Sequence, residues 1–170
     1  MKILVDTREQ RPLDFAKCPD VQTEQATLTT GDYALYGFQN YVAIERKSES
    51  DLLTSLTRDR RRFEAELQRA KGMDFFAIVA ETDWHRLGKG LYKSKAEPKS
   101  IVQSLFALCI RYGVHLFLVG TDRQAAAYTV HHLLRHYVQQ KTQLLTAALM
   151  HYQRATEAPM TCETVTDDRL

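Results

Sequence analysis

The rhythm of apolar and polar positions changes near residue 47. Before it, short β-branched and aliphatic runs alternate with turn-forming residues; after it, apolar positions recur at helical spacing. Residues 2–6 (KILVD) and 41–47 read as strands, 22–28 alternates weakly, and Thr30-Gly31-Asp32-Tyr33 has turn chemistry ahead of Ala34-Leu35-Tyr36. Gly37 and Asn40 bracket a hairpin turn. Along 41–47, side-chain alternation puts Val42, Ile44 and Arg46 on one face and Tyr41, Ala43, Glu45 and Lys47 on the other.

Ser48, followed by Glu49, Ser50 and Asp51, has the form of an N-cap with acid in the first turn, opening a helix that carries Leu52, Leu53 and Leu56. A second helical pattern covers 59–70, with Phe63, Leu67 and Ala70 on one side and a stop at Gly72. The apolar run 75–80 suits a central strand covered on both faces. Thr82 or Asp83 caps a short helix, and a Gly- and Lys-rich loop follows over 88–99. Pro98 then stands in the first turn of an amphipathic helix with Ile101, Leu105, Leu108 and Ile110, ended by Gly113. A buried strand over 114–119 and a long helix from Thr121 or Asp122 to about Met150 complete the pattern. This order predicts an α/β fold, a mixed sheet with helices on both faces. Residues 1–150 read as one domain and 151–170 as a flexible polar tail.

Composition narrows the class without choosing a function. At 170 residues, with 44% apolar and 26% charged positions, the chain suits one globular domain. A net charge of +2 is too mild to mark a nucleic-acid binder, so a nucleic-acid partner must be met by local residues. Cys18, Cys109 and Cys162 are odd in number, with no CxxC pair, which argues against a disulfide framework or thiolate zinc site. The expected setting is reducing: cytoplasmic or nucleoid-associated. The N-terminus reaches Asp6, Arg8 and Glu9 before any signal-length apolar stretch, and the apolar segments 101–110 and 114–119 are too short for a bilayer, so no membrane role is expected.

The residues with most chemistry are Asp32, Glu45 and Lys47. The hairpin can return Glu45 beside Asp32, with Lys47 on the same strand face. Two carboxylates about 4 Å apart repel by roughly 4 kcal/mol at an effective dielectric near 20, so the pair either holds a proton or binds a cation. Oxygen-only ligands favour Mg²⁺ or Mn²⁺. Lys47 would then orient an attacking water or neutralise charge on a phosphate. The plainer alternative is a surface ion pair, since a D…ExK pattern is short enough to arise by chance.

Longer stretches surround these residues: Val5-Asp6-Thr7-Arg8-Glu9, Gly31-Asp32-Tyr33, and Ile44-Glu45-Arg46-Lys47-Ser48 running on to Asp51. They resemble the nuclease domain of the XPF family of structure-specific endonucleases, whose signature is GD followed by ERKxxxD. The resemblance covers roughly residues 3–140 and implies a restriction-endonuclease-like fold, a mixed central sheet flanked by helices. It implies that Asp32 and Glu45 ligate Mg²⁺ or Mn²⁺, that Lys47 is the catalytic lysine, and that Asp6 is a further acid of the metal site. It assigns Arg8, Glu9, Arg46 and Asp51 supporting places on the substrate side. Arg62 of Arg62-Phe63 matches an arginine expected to contact phosphate, although Arg60 and Arg61 adjoin it. Glu66 stands where the family usually has glutamine.

The activity so implied is metal-dependent hydrolysis of DNA phosphodiesters at flaps, forks or junctions, in repair or recombination. Many relatives continue into a tandem helix-hairpin-helix module, whereas this sequence ends in a polar stretch. The expected partner besides branched DNA is therefore a second copy, making a homodimer, or a partner nuclease subunit. The alternatives are a catalytically silent DNA-binding or dimerisation subunit, and a restriction-type or RNA-directed nuclease.

Other features carry two readings. Arg58, Arg60, Arg61 and Arg62 either contact phosphate or form a solvated helix face, being interleaved with Asp59, Glu64 and Glu66. Lys89, Lys93, Lys95 and Lys99 fit a lid or a dimer rim. Glu81 ends a strand near the site. His132 and His136 have ligand spacing but no third ligand. Trp84 fits a groove between helix and sheet better than a base stack, Tyr33 and Tyr41 fit packing, and the apolar positions of 144–150 hint at a partner surface.

Overall fold

Local sequence chemistry sets most of the element boundaries in a computed structural model that describes residues 1–157. The order is β1 (Lys2–Asp6), β2 (Gln22–Ala26), β3 (Tyr33–Leu35), β4 (Val42–Ser48), α1 (Glu49–Leu56), α2 (Arg60–Ala70), β5 (Phe75–Glu81), α3 (Trp84–Lys89), α4 (Pro98–Tyr112), β6 (His115–Leu118) and α5 (Arg123–Glu157). Ser48 caps α1 by accepting from the Asp51 amide, and Asp83 caps α3 by accepting from the Arg86 amide. Glu97 caps α4 with Pro98 just inside it, and Gly113 ends that helix in the left-handed region at φ 66°.

The sheet runs β2-β1-β3-β4-β5-β6. β3 is antiparallel to both β1 and β4, while the pairs β1–β2, β4–β5 and β5–β6 are parallel. This is the mixed α/β sheet expected from the element order. Its faces divide as the alternation along β4 requires. Val42 and Ile44 join Ile3, Val5, Ala77 and Val79 in a core closed by Ala126, Ala127, Val130 and Leu134 of α5. Ala43 joins Phe76, Ile78 and Ala80 beneath Leu52, Leu53, Phe63, Leu67 and Leu105 of α1, α2 and α4. Residues 1–137 form one compact unit, and a second begins at Val138.

Two element expectations need correction. The segment near 114–119 forms a strand only over His115–Leu118, and it is half-buried, with His115 exposed. The reason is its place at the sheet edge, where a strand has a neighbour on one side only. The last helix passes Met150 and reaches Glu157, so the first residues of the expected tail are helical. No Gly or Pro interrupts the sequence before Pro159, and Ala155 and Glu157 suit a helix. The rest of that tail, 158–170, lies outside the described residues. Among those described, no helix is long and apolar enough to cross a membrane.

Candidate active site

A tight turn brings the first acid to the site. Gly31 has φ +76°, and a Cβ there would lie 3.0 Å from the Ala43 Cβ and 3.1 Å from the Ile44 carbonyl oxygen. Glycine is therefore what lets the chain press against β4. The Asp32 amide donates to the Ile44 carbonyl at 2.9 Å. Its carboxylate Oδ2 accepts from the Arg46 amide at 2.8 Å, which fixes Asp32 beside β4.

Glu45 and Lys47 share the β4 face covered by α1 and α2, and both are buried. Lys47 Nζ donates to Glu45 Oε1 at 2.7 Å and stands 4.7 Å from the centroid of the Phe63 ring. Glu66, reaching in from α2, lies in hydrogen-bond reach of Glu45. Three acids and one ammonium thus meet in a small volume, and their ionisation responds. Burial, with the nearby Glu45 charge adding to it, pushes the Asp32 carboxyl up to about 8; the Arg46 amide opposes this. Burial also raises Glu45, against the pull of Lys47 and with the push of Glu66. Lys47 loses hydration, but Glu45, Glu66 and Asp32 outweigh that loss and hold its ammonium above the ordinary range.

A cleft of about 470 Å³ opens over this group, and it is lined by every site residue expected from the sequence: Asp6, Arg8, Glu9, Asp32, Glu45, Arg46, Lys47, Asp51 and Arg62. Their placements differ. Asp6 is 1% exposed: its Oδ1 accepts from the Arg8 amide (2.8 Å) and Nε (2.7 Å), and its Oδ2 from Arg8 Nη2 (3.0 Å) and the Leu28 amide (2.7 Å). Although burial opposes it, these donors hold the Asp6 carboxyl below the usual carboxylate range. Asp6 would reach a metal only by giving up one of those bonds, and in this geometry it anchors Arg8 at the cleft rim. Glu9 Oε1 accepts from the Arg11 amide at 2.7 Å. Arg46 is turned to the opposite sheet face, where its Nε and Nη2 donate to Glu81 Oε1 at 2.8 and 2.7 Å. Asp51 Oδ2 accepts from the Ser48 hydroxyl at 2.6 Å.

The arginine run separates by helical spacing. Arg62 and Arg69 face the cleft with Phe63 and Glu66, whereas Arg60 points toward α4, pairing with Glu64 at 2.9 Å and donating to Ser104 at 3.1 Å. Glu81 is engaged by Arg46 and Arg123 and is a support beneath the sheet end. Lys89, Lys93, Lys95, Lys99, Trp84, His132 and His136 do not line this cleft. Glu66, noted in the sequence for standing where the family usually has glutamine, does line it. So do Arg69 and Arg11, which the sequence did not single out; the period of Arg62, Glu66 and Arg69 along α2 was the available signal for Arg69.

Among the described residues, no three of His, Cys, Asp and Glu form a ready-made metal cluster. The donor set nonetheless fits a hard divalent ion, because Mg²⁺ is commonly held by one or two carboxylates and fills its remaining positions with water and phosphate oxygens. Asp32 and Glu45 are two such carboxylates, and burial raises both more than the Arg46 amide and Lys47 lower them, so a bound cation would favour their charged forms.

A family model for the ERCC4 domain matches residues 5–132. Among solved structures, XPF from Aeropyrum pernix is similar at 26% identity with a TM-score of 0.65, over 81% of this chain and 61% of that one. XPF from Aeropyrum pernix in complex with DNA is similar at 26% identity with a TM-score of 0.62, over 82% of this chain and 66% of that one. This chain thus spans less than two thirds of either structure. A comparison with curated proteins gives no match.

Proposed function

The chain belongs to the ERCC4 domain family, and from that premise we propose that it is a DNA nuclease domain, a Mg²⁺- or Mn²⁺-dependent endonuclease hydrolysing DNA phosphodiesters at flaps, forks or junctions. The observation that carries this reading is the hydrogen bond from the Arg46 amide to Asp32, which sets Asp32 beside Glu45 and Lys47 in one cleft.

Asp32 and Glu45 would hold the ion from the floor of the cleft. When bound, it supplies Lewis acidity at the phosphate and lowers the pKa of an attacking water. Lys47 then has two tasks: its ammonium opposes the negative charge that grows on the phosphoryl oxygens, and its bond to Glu45 keeps that carboxylate facing the cleft. Arg62, Arg69 and the Asp6-anchored Arg8 receive flanking phosphates, while Glu9, Arg46 and Asp51 brace the walls. A homodimer or a partner nuclease subunit would add to this grip. The free thiols of Cys18 and Cys109 suit a reducing, cytoplasmic setting.

The test is a metal titration of cleavage on end-labelled flap, fork, linear duplex and RNA substrates, run beside Glu45→Gln. We expect cleavage of the branched DNAs only with Mg²⁺ or Mn²⁺, and a loss on the order of 10²-fold or more in the variant. Equal cleavage by Glu45→Gln overturns the assignment. DNA binding with no cleavage in any metal instead makes the chain a silent DNA-binding or dimerisation subunit.

A further inference from the structure

Away from the cleft, α3 and α4 present the tryptophan of the chain in an unexpected place. Trp84 stacks on Phe106 with ring centroids 5.1 Å apart and planes 16° apart, and the two residues are 45% and 48% exposed. Along α4, Lys99, Gln103, Phe106 and Ile110 fall at spacings of four, three and four, so they form one stripe, and all are exposed. Lys89, Lys93 and Lys95 are exposed between Trp84 and that stripe in the sequence. Among the described residues, none of these four lysines enters an ion pair. The acid closest to them in sequence, Glu97, is engaged by the Ser100 amide at 2.6 Å.

A partner for this surface must offer flat faces to an aromatic pair and several negative charges to unpaired cations. Single-stranded nucleic acid offers both; a duplex keeps its base faces stacked inside, and an apolar protein face leaves four lysines unanswered. The surface also lies toward the end of the sheet where the cleft opens. β5 leaves the sheet level with β4, Glu81 pairing with Ser48 in register. Glu49, the first residue of α1, accepts from the Thr82 hydroxyl at 2.8 Å and from Arg86 Nε and Nη2 at 2.7 and 2.9 Å. Those bonds tie α3 to the helix whose Asp51 lines the cleft.

We propose that the Trp84–Phe106 stack, with Lys89, Lys93, Lys95 and Lys99, binds the unpaired strand of a branched DNA substrate. The proposal rests on the nuclease reading and gives it a source of branch preference: the duplex occupies the cleft, and the single-stranded arm lies over α3 and α4.

Because the chain has one tryptophan, its fluorescence reports on this surface directly. The experiment titrates the full chain, without divalent metal, with an oligothymidine single strand and with a blunt duplex of equal length. Single strand should quench Trp84 at lower concentration than duplex does. Phe106→Ala should weaken single-strand binding by about 10-fold, the low end for one stacking contact, and leave duplex binding unchanged. Lys93→Ala combined with Lys95→Ala, both at exposed positions, should flatten the salt dependence of single-strand binding. Unchanged Trp84 emission on binding single strand, or equal single-strand affinity in all variants, overturns the proposal. So does a Phe106→Ala chain that loses self-association while binding single strand normally. In each of these cases metal-dependent cleavage of flap or fork DNA leaves the nuclease reading standing, whereas a chain that cleaves none of these DNAs in any metal removes the nuclease reading and the proposal with it.

Discussion

A carboxyl group taken out of water prefers to keep its proton, and Asp32 is such a group, pushed up to about 8 by burial and by Glu45. Unfolded, it would titrate near 4. Between those two values the folded state binds more protons than the unfolded one, so the metal-free protein loses stability as pH rises from about 4 to about 8. A divalent ion needs the ionised carboxylate, so its stabilising effect must grow over the same range. Thermal unfolding with and without Mn²⁺ at pH 6 and pH 8.5 should therefore give a larger midpoint increase at the higher pH, and Asp32→Asn should abolish the difference. Equal increases at both values would show that Asp32 does not take up the metal. The pairing of acids was legible in the sequence because it depends on short-range geometry: a glycine turn, a hairpin, and alternation along β4. The approach of Glu66 to Glu45 was not, because it depends on how α2 packs across the sheet. Nor was the enclosure of Asp6, whose four hydrogen bonds include one from the distant Leu28 amide.

Elements carry these residues into place, and the β3–β4 hairpin bears most of the load. The tightest point is Gly31, in the bend that leads into β3. Alanine there adds a left-handed penalty of roughly 1–2 kcal/mol, and its Cβ meets the Ala43 Cβ at 3.0 Å. The relief available is a shift of the turn away from β4, which breaks the bond from the Arg46 amide to Asp32. Gly31→Ala should thus lower the unfolding midpoint modestly while reducing cleavage at least as far as Asp32→Asn does, a combination that parallel melting curves and single-turnover cleavage would reveal. Wild-type activity with a lowered midpoint would mean that the turn is structural only. Helix starts at Ser48 and Asp83 and the stop at Gly113 followed from side-chain chemistry that is local in sequence. The half-exposed β6 and the exposed Trp84 did not, since edge position and the packing of α3 on α4 are decided by the tertiary fold.

At the scale of the whole molecule, the core of residues 1–137 is complete within that unit: Ala126, Ala127, Val130, Leu134 and Tyr137 of α5 all join it. The helix continues past this point with a different composition of surface. Leu144, Leu145, Leu149, Met150 and Tyr152 are 54–69% exposed, and Val138, Leu145 and Tyr152 recur at intervals of seven with Leu149 four after Leu145. Apolar residues repeated in that way are costly to leave in water and suit a helix–helix seam. If the proposed homodimer uses this seam, stability and association must be separable. A chain ending at Lys141 should unfold within a few degrees of the full chain, because none of the core has been removed, yet run as a monomer in light scattering where the full chain associates. A large drop in its unfolding midpoint would show that the terminal helix supports the fold itself, and unchanged association would move the partner surface elsewhere on the molecule.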